Sequence, residues 1–150
     1  MIERSEIETL IPHKGNMCLW DEVLEWDAAS IRLRAVDHID VGHPLRSHER
    51  LRAVHLCEYG AQAMAVHGGL RATKSGSAPR PGMLVALRGV ELHVARIDDL
   101  VGAIECHAQV LIEGGDSQQY AFRITHGLTL LAEGRAAVML KMPVSGSTND

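Results

Sequence analysis

The sequence predicts an α+β fold in which a curved antiparallel sheet wraps one long central helix, and three features carry that prediction. Residues 53–70 contain no proline, recur in alanine and are apolar on almost every face, which is the pattern of a buried helix. Alternating or β-branched stretches flank it, two before and three or four longer ones after. Gly114-Gly115-Asp116 forms a strong hairpin signal between two of the later stretches.

Taken in order, Ser5 to Leu10 reads as a short helical turn, with Ser5 as N-cap, Glu8 three residues on, and Pro12 ending it. Met17 to Val23 and Ser30 to Val36 form an opening hairpin around Trp26-Asp-Ala-Ala. Residues 37–50 are a polar loop punctuated by Gly42 and Pro44. The helix spans about Ala53 to Leu70. Its Gly60, Ala61, Ala63 and Ala65 let a sheet approach closely, and Gly68-Gly69 stands as its terminator. Lys74 to Pro81 is a flexible connection; together with the tail 145–150 it is the low-complexity part of the chain. Strands are expected over Met83 to Val94, Gly102 to Ile112, and Gln119 to Thr125 continuing through Leu128 to Leu140. A sheet must bury one face, and the central helix is the element available to cover it. That is the hot-dog architecture, expected as a single domain over 1–150. Its open edge strands call for pairing into a dimer.

Composition narrows the function classes. No apolar run approaches the roughly 18 residues of a membrane span, and the acidic start, Met1-Ile-Glu-Arg-Ser-Glu, lacks the apolar core of a secretory signal. A cytoplasmic protein without membrane contact is the expectation. A net charge of -4 without a Lys/Arg run argues against nucleic acid. Cys18, Cys57 and Cys106 are odd in number and widely spaced, so they read as free thiols. The nine histidines include no H-x-x-x-H or H-E-x-x-H pair, so neither a metal nor a cofactor is expected.

Within the helix, Glu58 and Gln62 lie four residues apart and share a face, with His55 one turn upstream. Burying a carboxylate without a partner costs several kcal/mol, roughly, which marks this polar line as the candidate site. Burial would also raise the pKa of Glu58 and suit it to proton donation.

Two segments resemble the 3-hydroxyacyl-acyl-carrier-protein dehydratases, and more closely their aryl-polyene-cluster (ApeP-like) relatives. Ile11-Pro12-His13-Lys14, followed by Met17-Cys-Leu-Trp-Asp21-Glu-Val23, is similar to the family's Leu-Pro-His-Arg, apolar strand and Asp. Gly42-His43-Pro44, then Leu51-Arg52-Ala53, then Glu58-Tyr59-Gly60-Ala61-Gln62 resembles its Gly-His-Phe-Pro loop, Met-Pro-Gly helix start and Glu-Ala-x-Ala-Gln helix. The loop here reads His-Pro-Leu, one residue is inserted after it, and Pro-Gly is replaced by Arg-Ala.

The resemblance implies a dehydratase that removes water from a 3-hydroxyacyl thioester. It places Glu58 as the catalytic carboxylate, His43 as the catalytic histidine and Ala53 as the residue whose backbone N–H meets the thioester carbonyl. It also implies an acyl carrier protein or CoA thioester as substrate. The oligomer would be a homodimer, or a heterodimer with a related hot-dog subunit.

The chemistry needs a base at C2, an acid at the C3 hydroxyl and a donor for the charge on the thioester oxygen. Histidine titrates in the right range, which makes His43 the first candidate base and His55 the second. The helix start at Arg52-Ala53 offers N–H groups and a positive dipole end, and Gln62 is the candidate substrate-binding amide. A bland reading stands beside this one: Glu58 and Gln62 bond buried backbone, and His13 orients its own loop. Two other functions also fit, a hot-dog thioesterase and a catalytically weak partner subunit of a dehydratase. Lys74 and Arg80 are candidate contacts for a phosphate or an acidic carrier.

Overall fold

A computed structural model describes residues 1–12, 15–77 and 82–140. The described residues form seven strands and two α-helices: β1 (Ile2–Glu3), α1 (Arg4–Leu10), β2 (Glu22–Trp26), β3 (Ser30–Ala35), α2 (Leu56–Lys74), β4 (Gly82–Leu92), β5 (Ile104–Glu113), β6 (Ser117–His126) and β7 (Thr129–Leu140). The strands make one antiparallel sheet in the order β1-β2-β3-β5-β6-β7-β4, so β1 and β4 are its edges. The α+β hot-dog arrangement read from the sequence is the observed one. No helix among the described residues is long and apolar enough to cross a membrane.

The core forms where α2 lies on the sheet. Tyr59, Ala63, Val66 and Leu70 follow a helical period and are buried, together with Ile104, Phe122, Ile124 and Leu131 from the strands. The single phenylalanine is tightly held. A Cβ built at Gly60 on α2 would come within 3.0 Å of the Phe122 ring, and one at Gly134 on β7 within 3.2 Å of the same ring. Both glycines make room for one aromatic ring between helix and sheet.

Several elements differ from their sequence patterns. The stretch from Met17 is not a strand as far as Asp21. Gly15–Met17 is a 3-10 turn, and the residues after it dock on α2 through Leu19 N–H to Gln62 Oε1 (2.9 Å) and Trp20 Nε1–H to Tyr59 O (2.8 Å). Helix contacts therefore take the backbone groups that the alternating pattern assigned to a ladder. Ser5 is not an N-cap, because the chain leaves β1 and is already helical at Arg4. β1 itself is too short to leave an alternation signal.

Gly68-Gly69 does not end α2, which runs on to Lys74. A Cβ at Gly69 would fall 2.9 Å from Leu10 Cβ. The glycine serves close packing against the end of α1 rather than termination. Ala53–His55, expected as the first helical turn, is a 3-10 turn leading into α2. The β6–β7 turn falls at Gly127, with φ +59°. Residues 78–81, with Arg80, and the tail lie outside the described residues, as does His13.

Candidate active site

α2, the N-terminal turn and the β4/β7 end of the sheet enclose a cavity of about 670 Å³. Glu58, Ala61, Gln62, Ala65 and Gly68 line it from one face of α2. Thr9 to Pro12 close a second side, and Gly82, Leu84, Val138 and Leu140 the sheet side. The helical period puts the polar pair near one end and Met64 with small side chains beyond it. From Glu58 to Gly68 the cavity follows the helix for about 15 Å. Its walls are mostly apolar, a shape suited to an extended apolar chain with its reactive end at Glu58.

Glu58 is not the buried carboxylate that the sequence pattern implied. Its side chain is 51% exposed in the single chain, because it occupies the first turn of α2 where the cavity opens. The burial that the helical pattern implied is therefore missing in one chain. Its Oε1 accepts from His55 Nδ1 at 3.1 Å. That bond leaves Nε2 of His55 without a partner among the described residues. Glu58 and His55 thus come together, as i and i+3 residues at a helix start must.

His43 goes elsewhere. Its Nδ1 accepts the backbone N–H of Leu45 at 3.1 Å, so Nε2 carries the proton and donates to the Tyr59 hydroxyl at 2.9 Å. Both ring nitrogens are engaged by protein, the ring stacks on Tyr59, and the residue is buried. Burial pushes its pKa below the ordinary histidine value. His43 lines a separate polar cavity of about 140 Å³ with Arg4, Asp37 and Asp40, and is absent from the walls of the large one.

The Ala53 N–H expected to meet a thioester carbonyl donates instead to Ala95 O at 3.0 Å. Residue 53 is stitched to the segment after β4, so its donor is not free in the single chain. Gln62 holds structure in the same way. Its Oε1 accepts from Leu19 N–H and its Nε2 donates to Met17 O at 2.7 Å. This is the bland alternative for Gln62, and it fixes Met17 and Leu19 as cavity walls.

Residues that the sequence did not mark complete the arrangement. Tyr59, locked by Trp20 through its carbonyl, holds His43. Tyr120 lines the large cavity and donates its hydroxyl to Nδ1 of buried His67 at 2.6 Å, while Nε2 of His67 donates to Asp27 O at 2.7 Å. The rarity of aromatic residues was the available signal for them: of five, Trp20, Tyr59, Tyr120 and Phe122 are buried.

His38, His43 and His67 are all buried with pKa values lowered, chiefly by desolvation. A folded-state pKa below the ordinary 6.5 means that the unfolded chain binds more protons between the two values, so stability rises with pH there. Melting temperature is expected to hold above pH 7 and to fall steadily as pH drops below about 6.5. A flat melting profile over that window would refute the role of these histidines.

The chain matches the profile of the ApeP-like family, described as ApeP dehydratase, over residues 5–145. Among solved structures it is similar to the dehydratase heterocomplex ApeI:P from Xenorhabdus doucetiae, at 20% identity and a TM-score of 0.82, covering 91% of each chain. It is also similar to a putative esterase from Mycobacterium tuberculosis (13% identity, TM-score 0.60, 81% of this chain and 91% of that one). A hypothetical thioesterase with coenzyme A from Streptococcus pneumoniae is comparable (10% identity, TM-score 0.59, 80% and 87%). At these identities the structural likenesses show the fold. No curated protein matches the chain. The family profile spans nearly the whole chain, and the chain belongs to the ApeP-like dehydratases.

Proposed function

We propose that the protein is one subunit of a two-subunit hot-dog dehydratase that removes water from a 3-hydroxyacyl thioester to give the trans-2-enoyl thioester. The observation that carries this is Glu58, hydrogen-bonded to His55, at the end of a long apolar cavity. The acyl tail lies along α2 toward Gly68, and its C3 hydroxyl meets Glu58. As the C2 proton leaves and the C3–O bond breaks, Glu58 passes a proton to the departing hydroxyl and water forms. Solvent, which reaches the half-exposed Glu58, replaces that proton, and His55 Nδ1 holds the carboxylate in place.

The base at C2 comes from the second subunit. His43 has no free lone pair in this chain, and its role is to position α2 through Tyr59. β4 is where that subunit docks. It is an edge strand of 11 residues with Met83, Val85 and Leu87 exposed, and its Gly82 and Leu84 also form cavity wall. An open apolar edge of this length needs a cover. The ApeI:P structure, whose chains assemble as a dehydratase heterocomplex, supports a related hot-dog subunit as that cover.

The test is enoyl absorbance from a 3-hydroxyacyl thioester on a carrier protein, with this chain alone and with its hot-dog partner. Product from the mixture and none from either subunit alone is expected. Release of free thiol without enoyl product would show hydrolysis instead and overturn the reading.

The cavity gives a second expected result. A Cβ at Gly68 meets nothing within 4 Å, so Gly68→Leu adds its side chain to open space without displacing backbone. Turnover of the longest accepted acyl chains should fall at least about tenfold, with short chains unaffected, since single methylenes in such pockets weigh this much. Equal loss for all chain lengths would exclude Gly68 from the acyl path.

A further inference from the structure

Where β4 ends beside β7, three side chains with metal-ligating atoms stand together on the outer face of the sheet. Glu91 and Glu133 are direct register partners across the two strands, so their side chains share a face. Ala132 and Gly134 are buried and Gly134 packs on Phe122, which leaves Glu133 between them pointing outward. His93 follows two residues after Glu91, and its backbone N–H donates to Leu131 O at 2.8 Å, holding residue 93 against β7. Its Nε2 lies 3.6 Å from Glu133 Oε2 and 3.9 Å from Glu91 Oε1, and the three ligand atoms all fall within 4.8 Å of one another. No sequence motif marks the trio, because the third member comes from a different strand.

Carboxylates set directly opposite each other across two strands repel and cost stability unless a cation stands between them. Burial does not force these together, since Glu91 and His93 are exposed and Glu133 is half-buried. Arginine does not fill the place either. Arg123 Nε stands 3.9 Å from Oε1 of Glu133, the oxygen not facing His93, and among the described residues no lysine or arginine pairs with Glu91.

From this geometry we propose that Glu91, His93 and Glu133 bind Zn²⁺ or a similar first-row divalent cation. One imidazole nitrogen with two carboxylate oxygens suits such an ion and disfavours Mg²⁺ and Ca²⁺, which call for oxygen alone. Around a tetrahedral Zn²⁺ with bonds of about 2.0–2.2 Å, ligand atoms stand about 3.3–3.6 Å apart. Small rotations of three surface side chains reach that spacing, and water takes the fourth position. Arg123 orients the Glu133 carboxylate through one oxygen and leaves the other to the metal. The ladder between β4 and β7 is irregular between Arg88 and Glu91, and the trio lies just past that break. A bound cation therefore ties the end of the edge strand to its neighbour. The site shares no wall with the large cavity, so the inference stands apart from the dehydratase reading.

The experiment is calorimetric titration of the chelator-treated full chain with zinc chloride, with melting curves taken in the presence and absence of the metal. One equivalent is expected to bind and to raise the melting temperature, while Mg²⁺ at the same concentration leaves it where it was. His93→Ala and Glu133→Gln should each weaken binding at least about tenfold and abolish that rise, since even an outer-shell partner of a metal is worth this much. His107→Ala, which removes an exposed histidine outside the trio, should change neither. Without metal, Glu91→Gln should melt no lower than the parent because it relieves the opposed charges, so its weaker zinc binding is not a failure to fold. The absence of a one-equivalent phase in the parent overturns the proposal. So does binding by His93→Ala or Glu133→Gln equal to the parent's, or an equal loss in His107→Ala.

Discussion

Glu58→Gln is expected to lower kcat for dehydration about a hundredfold to ten-thousandfold in the assembled enzyme, with little change in KM. The variant keeps the size of the side chain and an acceptor for His55 Nδ1, but cannot hold and release the proton that the departing hydroxyl needs. An interaction used only in the transition state shows this split between kcat and KM. Folding should be untouched, because half of the Glu58 side chain is exposed and its partner is one helical turn away. Steady-state kinetics with a matched melting curve provide the check. A variant within tenfold of the parent kcat would remove Glu58 from the chemistry and leave the base-supplying subunit as the whole site.

Phe122→Ala should cost about 3–5 kcal/mol of stability, the range for removing a fully buried aromatic ring. The upper half of that range is expected, because two of the positions against the ring have little to offer the cavity left behind. The residues facing the ring on α2 and β7 are Gly60 and Gly134, with no side chains to move inward. In a chain of this length that is a fall in melting temperature of roughly 10 °C or more. Denaturant unfolding with unchanged slope and a lower midpoint would verify it. A loss below about 2 kcal/mol would mean that helix and sheet settle together without the ring.

The architecture was legible because its signals are local. The alanine-rich, proline-free run, the alternating strands after it and the Gly114-Gly115-Asp116 turn each follow from a periodicity or a turn preference. Failures cluster where a local pattern meets a distant partner. Met17 to Trp20 has the alternation of a strand, yet spends its hydrogen bonds on Gln62 and Tyr59, some forty residues away. Gly68-Gly69 looks like a stop, but Gly69 is small because Leu10 presses on it.

At the site, the same division holds. Helix spacing put Glu58, Gln62 and His55 on one line, and the family resemblance, carried in part by Glu58 and Gln62, agrees with the profile match. Spacing did not reveal that Gln62 turns its amide to backbone, that the Ala53 N–H is spent on Ala95, or that both nitrogens of His43 are taken.

The sequence by itself determined the fold class, the central helix and the carboxylate on it, because periodicity and residue type are properties of neighbours along the chain. Only the tertiary structure decided how exposed that carboxylate is, where the cavity runs and which histidine stands beside it. Burial and hydrogen-bond partnership depend on residues brought together across the fold: α1 packs on α2, and residues of β4 and α2 line one cavity, with no mark of it in their own sequences.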